Sequence, residues 1–392
     1  MRGTIKQRAK GSWTIILDTG RDPATCKRQQ KWETVRGTKK EAVKRLAELQ
    51  HQLNTGEYIK GSKDTVDSFL ERWLRDYAWP NLSPETAQGY DIICRKHLIP
   101  ALGNLELTKV TPDVLQAYYA KALKQGRRDG KGGLSPRTVR HHHTTLHTAL
   151  AHAVKWRLLA RNPADAVDAP RYQKKEMRVF DQSGMGAFLE SIKESEYYPL
   201  FYSSLYTGVR RSELLALRWC DVDLDMGTIS INRSLHQLAD NNFIFQAPKT
   251  AKSRRLVALP PSATIVLRKH REVQSGQGLL LGIPVTEESL VFCHHDGSPL
   301  LPHNITNVWK RLVKQAGFQG IRLHDARHTH ATLMLSQGVH PKVVQERLGH
   351  ANISMTLDTY SHVLPGLQEA AALRLDQAST PPSRSVEVVS SG

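Results

Sequence analysis

Leu323-His324-Asp325-Ala326-Arg327-His328-Thr329-His330 is followed by Leu348-Gly349-His350 and then by Thr359-Tyr360-Ser361-His362-Val363. Within 40 residues these stretches gather an arginine, several imidazoles and a tyrosine that closes the run Thr356-Leu357-Asp358-Thr359-Tyr360. A helix begun at His324 carries Arg327 one turn on, on the same face, because positions three apart are neighbours. An arginine fork grips phosphate oxygens in pairs, and an imidazole beside it moves a proton. No obvious metal ligands accompany them. A phosphate site so composed needs its own nucleophile, and Tyr360 is placed to serve.

Working back toward the N-terminus, Thr207-Gly208-Val209-Arg210-Arg211-Ser212-Glu213-Leu214 sets an arginine after a glycine turn at the head of a helix. Helix N-termini favour anions, so Arg210 and nearby backbone N–H groups suit one phosphate, with Glu213 one turn on to hold the guanidinium. Pro248-Lys249-Thr250-Ala251-Lys252-Ser253-Arg254-Arg255 lies between two strand signals and reads as a β-hairpin tip. Such a tip can enter a groove and carry an ammonium to a leaving oxygen. A solvated hairpin is the plain alternative.

The whole chain is basic, with a formal charge of +18 over 392 residues and a pI of about 9.8. A polyanion is the economical partner, and nucleic acid the commonest; the alternative is a basic, inert surface. No apolar run approaches the ~18–20 residues of a membrane span, so no membrane partner is expected. The N-terminus has no apolar signal core. Cys26, Cys94, Cys220 and Cys293 are scattered without a C-x-x-C pair, which fits free thiols in a reducing cytoplasm.

Residues 1–60 hold 14 Lys/Arg against 6 Asp/Glu. Ser12–Leu17 and Lys31–Val35 read as strands about a turn-rich segment. Thr38-Lys39-Lys40-Glu41 opens an amphipathic helix with a capping box and the stripe Ala42, Leu46, Leu49, Leu53. A small basic sheet on one helix can lie in a DNA groove, and Lys6, Arg8 and Lys31 are its candidate contacts. From 64 to 163 the pattern is that of four helices. Three of them open with Ser83-Pro84, Thr111-Pro112 and Ser135-Pro136, a capping hydroxyl followed by a proline at the first helical position. On the last, Arg137 and Arg140 are candidate DNA contacts, and His141, His142 and His143 read as a DNA-facing or solvated surface. Consecutive helical residues point about 100° apart, so these three imidazoles do not converge on one metal ion. Residues 164–178 read as a linker, 179–375 as a unit of helices and short strands, and 376–392 as a disordered tail.

Taken together, these residues resemble the tyrosine recombinases, in their phage and mobile-element integrase branch. Thr207–Leu214 resembles the first-arginine motif and Lys249 the hairpin lysine. His324-Asp325-Ala326-Arg327 resembles the His-x-x-Arg box, Leu348-Gly349-His350 the next box, and Asp358-Thr359-Tyr360-Ser361-His362-Val363 the nucleophile motif. The five occur in the family's order. The resemblance implies a multidomain α+β chain. Its parts are an arm-type DNA-binding domain (1–60) of a three-stranded sheet and a helix, an all-α core-binding domain (64–163), and a mainly α catalytic domain (179–375) with a small antiparallel sheet.

It also implies integration and excision of a mobile element without cofactor or metal, through a 3′-phosphotyrosyl link made by Tyr360. Arg210 and Arg327 would neutralise the phosphate, Lys249 would protonate the leaving oxygen, His324 would assist removal of the phenol's proton, and His350 would bind the phosphate. Lys252 is the rival of Lys249, and Lys252 and Arg254 are further DNA contacts. Expected partners are double-stranded DNA at core and arm sites, three further copies in a tetramer, and accessory bending or directionality proteins, at the nucleoid of a bacterial cytoplasm. The alternative is a protein of the same fold that binds, nicks or relaxes DNA without strand exchange. His324-Asp325-Ala326-Arg327-His328 also superficially resembles the His-Glu-x-x-His helix of metalloproteases, but Asp replaces Glu and a cation would sit beside the metal.

Overall fold

The three strands of the N-terminal sheet, Gly3–Ala9 (β1), Ser12–Arg21 (β2) and Arg28–Arg36 (β3), pair antiparallel in sequence order. In this computed structural model the described residues are 3–21, 28–54, 63–173, 177–237, 243–247 and 254–360, with 372, 375 and 376 beyond them. Two units divide the chain, Met1–Lys174 and Lys175–Gly392. Helices predominate, with small antiparallel sheets.

Helix Lys39–Asn54 (α1) covers one face of the first sheet, where Ile15, Leu17 and Leu49 are buried with Ile5, Val35 and Leu46 against them. Its capping box forms: Thr38 N–H donates to Glu41 Oε2 at 2.7 Å and Glu41 N–H to Thr38 Oγ1 at 3.4 Å. Ala42 of the expected stripe is buried, while the side chain of Leu53 lies outside the described residues.

Four helical rods follow. The first runs through Val66–Trp73 (α2), a π-turn at Leu74–Ala78 and Trp79–Asn81 (α3). The second runs through Pro84–Ile93 (α4), a π-turn at Cys94–Leu98 and Ile99–Leu102 (α5). Each π-turn ends just before a proline: Trp79 N–H reaches back to Leu74 O and Ile99 N–H to Cys94 O. Pro80 and Pro100 lack the N–H that would continue the ordinary ladder, and the wider turn absorbs the mismatch. Pro112–Gln125 (α6) and Pro136–Lys155 (α7) complete the set. Phe69, Trp73, Leu98, Tyr119, Leu146 and Leu150 are buried in their common core.

Three expectations need correction here. Thr111 and Ser135 do cap their helices, but the hydroxyl of Ser83 meets Thr86 Oγ1 at 2.9 Å and makes no backbone cap. His142 is a core residue, not a surface one, with Nδ1 2.9 Å from the hydroxyl of buried Tyr118. The α7 positions that carry Val139, Leu146 and Ala149 inward carry His142 with them, since i, i+3, i+4 and i+7 share a face. The stretch 164–178 does not begin as a linker: Pro163–Ala166 is a 3-10 turn, and Ala164 and Val167 are buried in the helical core.

The second unit opens with Gln182–Ser191 (α8) and Tyr198–Thr207 (α9), then the single turn Arg211–Leu214 (α10). Val222–Asp223 (β4), Thr228–Ile231 (β5) and Arg255–Ala258 (β8) form one sheet in the order β4-β5-β8. Ser234–Gln237 (β6) and Phe243–Gln246 (β7) form another. Pro261–Leu280 (α11), Pro302–Gln315 (α12), Leu323–Ser336 (α13), Pro341–Leu348 (α14) and Ile353–Tyr360 (α15) follow. Trp309 of α12 is the centre of the core, with the rings of Phe188 and Phe201 each 5.0 Å away and its indole N–H donating to Ile321 O.

The pairing corrects the hairpin reading. Among the described residues the strands flanking Lys249 pair with earlier strands and not with each other: β7 with β6, and β8 with β5. The direct connection between paired strands runs through 238–242, and 248–253 joins strands of two different sheets.

Candidate active site

Gly208 ends α9 in the left-handed region at φ 64°, and Arg210 begins α10 with an extended backbone. A Cβ on Gly208 would lie 2.7 Å from His330 Cδ2 and 2.8 Å from Leu348 Cδ2, so both conformation and space require glycine. The turn directs Arg210 onto α14: Nη2 donates to Gly349 O at 3.0 Å and Nη1 to Glu213 Oε1 at 2.7 Å. Arg211 points elsewhere, donating to Pro302 O and Thr306 Oγ1.

Arg327, on α13, is buried. Its Nη1 donates to Gly208 O at 2.8 Å and its Nη2 to Leu348 O at 2.6 Å. Arg210 and Arg327 thus hold the adjacent carbonyls of Gly349 and Leu348, where α14 ends, although 117 positions separate them in sequence. A guanidinium carries five N–H donors, and the carbonyls of Gly208 and Leu348 occupy two of those on Arg327. Burial, and after it the neighbouring charge of Arg210, presses the Arg327 pKa down to about 9. An anion placed there would favour the charged guanidinium and oppose this shift.

Glu213 is buried between two arginines. Burial pushes its carboxyl upward, but hydrogen bonds from Arg255 and the charges of Arg255 and Arg210 outweigh it and leave the group below its ordinary value. Arg255 also donates through Nε to Arg347 O at 2.7 Å, tying β8 to α14.

His350 follows Gly349 directly. Its backbone N–H reaches Gln345 O, Gln345 Nε2 donates to His350 O, and its Nδ1 lies 2.8 Å from Thr356 Oγ1. Burial first, and then Arg327 and Arg210, bring its pKa down to about 4, so the ring is neutral near pH 7. His324 keeps an exposed edge at the start of α13, and its pKa is lowered by desolvation and by Arg327. Tyr360 ends α15 almost fully buried, with its hydroxyl 2.7 Å from Nδ1 of His328. Burial pushes the phenol up to about 12, against a smaller opposing effect of Arg327.

The fold therefore brings Arg210, Glu213, Arg327 and His350 together, with Tyr360 one hydrogen bond from the helix that carries His324 and Arg327. Lys249 and Lys252 lie outside the described residues. Arg254 is exposed next to Arg255, and Arg137 and Arg140 are exposed on α7. In the first sheet Lys6 alternates with inward Ile5 and so lies on the open face, and Arg8 is exposed at a bulge. Lys31 is opposite buried Leu17 on the face that α1 covers, paired with Glu33 at 3.0 Å.

Two residues escaped the sequence reading. Arg255 shares the strand face of buried Val257, two positions on, which marks it as inward. His328 stands four residues after His324, and so on the same helical face.

The phage integrase family pattern matches residues 184–366, and the N-terminal SAM-like domain of phage integrases matches residues 65–123. The chain is 27% identical over 375 residues to the ICEBs1 integrase of Bacillus subtilis, covering 95% of this chain and 99% of that protein. It is 28% identical to a XerC-like tyrosine recombinase of Caldanaerobacter subterraneus, covering 84% of this chain and 87% of that one. Its fold matches the Tn1549 transposon integrase, solved in complex with a circular intermediate DNA, at a TM-score of 0.67 and 22% identity over 79% of this chain and 99% of that one.

Proposed function

We infer that this chain, which belongs to the phage integrase family and is a tyrosine-type site-specific recombinase, breaks and rejoins DNA through Tyr360. The phenolic oxygen attacks the scissile phosphodiester, a 3′-phosphotyrosyl bond forms, and the bond to the 5′ oxygen breaks. Arg210 and Arg327 stabilise the charge on the non-bridging oxygens, an electrostatic role worth several kcal/mol in such sites. His350 donates a hydrogen bond to the same phosphate. Lys249, with Lys252 as its rival, supplies the proton to the departing oxygen, and His324 assists loss of the phenol's proton. The covalent link conserves the bond energy, so the 5′-hydroxyl of another strand reverses the step.

The observation that carries this reading is the meeting of Arg210 and Arg327 on the adjacent carbonyls of Gly349 and Leu348, next to His350. Two cations held side by side, one of them buried, suit a phosphate. The basic N-terminal unit, with Lys6 and Arg8 outward, serves arm-type DNA, and Arg137, Arg140 and Arg254 serve the core site. The active assembly is a homotetramer on two DNA sites, acting with accessory bending or directionality proteins in a bacterial cytoplasm.

The test is covalent capture. The protein is incubated with nicked fragments of the genome that encodes it and then denatured, and the protein-linked DNA is sequenced, with Tyr360→Phe as control. Fragments linked only by the wild type, sharing one 3′ junction, are the expected result. Equal capture by both proteins would remove Tyr360 from its role. Specific binding with no capture by either would favour a DNA-binding protein that does not exchange strands.

A further inference from the structure

His324 is the imidazole that the family resemblance assigns to the phenol's proton, yet the hydroxyl of Tyr360 is held by another ring. His328 Nδ1 lies 2.7 Å from Tyr360 Oη, and the two rings are 5.7 Å apart, tilted at 58°. His328 stands edge-on to His324, centroids 4.9 Å apart and planes at 88°, one helical turn along α13. Ala331, Leu335, Val344 and Leu348 share the apolar cluster of Tyr360, and the charges of Arg327 and Asp325 act on its phenol. Among the described residues His328 is the side chain hydrogen-bonded to this oxygen.

We propose that His328 is the positioning residue of the nucleophile: its Nδ1 accepts the hydrogen of Tyr360 and aims the phenolic oxygen along the face of α13 that carries His324 and Arg327. The ring must be neutral, with its own hydrogen on Nε2. Burial and the nearby His324 support that state, holding the His328 pKa near about 4 while the phenol keeps its proton. His328 changes no bond in the reaction. It holds the phenolic oxygen in place before attack, and this hydrogen bond is given up when the O–H turns to the base that takes its proton.

This inference rests on the reading of Tyr360 as nucleophile, and its test separates the two. An asparagine places its amide oxygen where His328 has Nδ1, a glutamine places it further out, and a leucine offers no acceptor. His328→Asn, His328→Gln and His328→Leu are compared with wild type and Tyr360→Phe on a nicked duplex bearing the junction recovered by capture. Dissociation constants, melting temperatures and single-turnover cleavage rates are all measured.

The expected result is unchanged DNA affinity and melting temperature throughout. His328→Asn should cleave within about threefold of wild type, and the glutamine and leucine variants about tenfold or more slowly, the scale of a misaimed reacting group. Glutamine and leucine variants that cleave at the wild-type rate overturn the proposal. So does an asparagine variant that falls as far as leucine, or a loss of rate that tracks melting temperature. A wild type that links no DNA overturns the nucleophile reading and the inference with it. A wild type that links through Tyr360, with His328→Leu unimpaired, overturns the inference alone.

Discussion

Arg255 and Glu213 form a two-pronged ion pair, Nη1 to Oε1 at 3.1 Å and Nη2 to Oε2 at 2.8 Å, with only 6% of either side chain exposed. The pair fixes more than itself. Glu213 takes both the backbone N–H and the guanidinium of Arg210, and Arg255 takes the carbonyl of Arg347 near the end of α14. One carboxylate therefore sets the position of Arg210 against the helix end that carries His350.

Removing that charge should be costly. Glu213→Gln leaves Arg210 and Arg255 facing a neutral amide, and an unpaired buried charge of this kind destabilises by about 3–5 kcal/mol. Chemical denaturation should show the loss, and single-turnover cleavage should fall with it. Because the carboxyl is held below its ordinary value in the fold, its contribution is complete above the ordinary glutamate range and is lost as pH falls through the folded value. Acid unfolding monitored by circular dichroism should be less steep in Glu213→Gln than in wild type. Equal steepness would show that other groups govern the transition.

The sequence carried much of this site because its parts are short and local. Gly208–Arg210, His324–Arg327 and Gly349-His350 each depend on a turn or one helical step, and local spacing shows these directly. The Arg255–Glu213 pair joins a strand to a helical turn 42 residues away, and such a contact leaves no trace in local periodicity. The same limit applies to the hairpin reading. The segments on either side of 248–253 read as strands, but local pattern did not show which strands pair with which. His142 was misread for a different reason: hydrophobicity ranks an imidazole as a surface residue, whereas its helical position, with a Tyr118 partner, places it in the core.

His142 should make stability fall in acid. Burial holds its pKa near about 4, with smaller effects from His97 and His141, against about 6.5 in an unfolded chain. The unfolded chain therefore binds this proton first as pH drops from about 6.5 toward 4, and stability falls across that window, by up to about 3 kcal/mol for this one group. The melting temperature of the full chain, followed from pH 7 to pH 4.5, should decline. His142→Gln should flatten the decline, whatever its melting temperature at pH 7. A parallel decline in both proteins would place the proton uptake elsewhere.

The two kinds of helix start should respond differently to alanine. Ser135 caps α7 through the N–H of Thr138 at 3.1 Å, and losing such a cap costs about 1 kcal/mol. Ser83 meets Thr86 Oγ1 and makes no backbone cap, so Ser83→Ala should cost less than Ser135→Ala. Denaturant midpoints of the two variants would decide. Equal losses would mean that Ser83 caps its helix in solution.

Gly208 joins stability to chemistry. Its φ of 64° disfavours any residue with a Cβ, and that Cβ would lie within 2.8 Å of both His330 and Leu348. Neither neighbour can easily yield. His330 is fixed by Leu205 O on one nitrogen and Arg347 on the other, and Leu348 carries the carbonyl that receives Arg327. Gly208→Ala should destabilise the chain by more than about 1 kcal/mol from the backbone alone, with the contacts adding to that. Since Arg327 donates to the carbonyl of Gly208 itself, any relief of the clash moves an acceptor of that guanidinium. Cleavage should therefore fall further than stability alone dictates, even at temperatures where the variant is fully folded. A folded Gly208→Ala protein that links DNA at the wild-type rate would show that this turn does not set the position of Arg327.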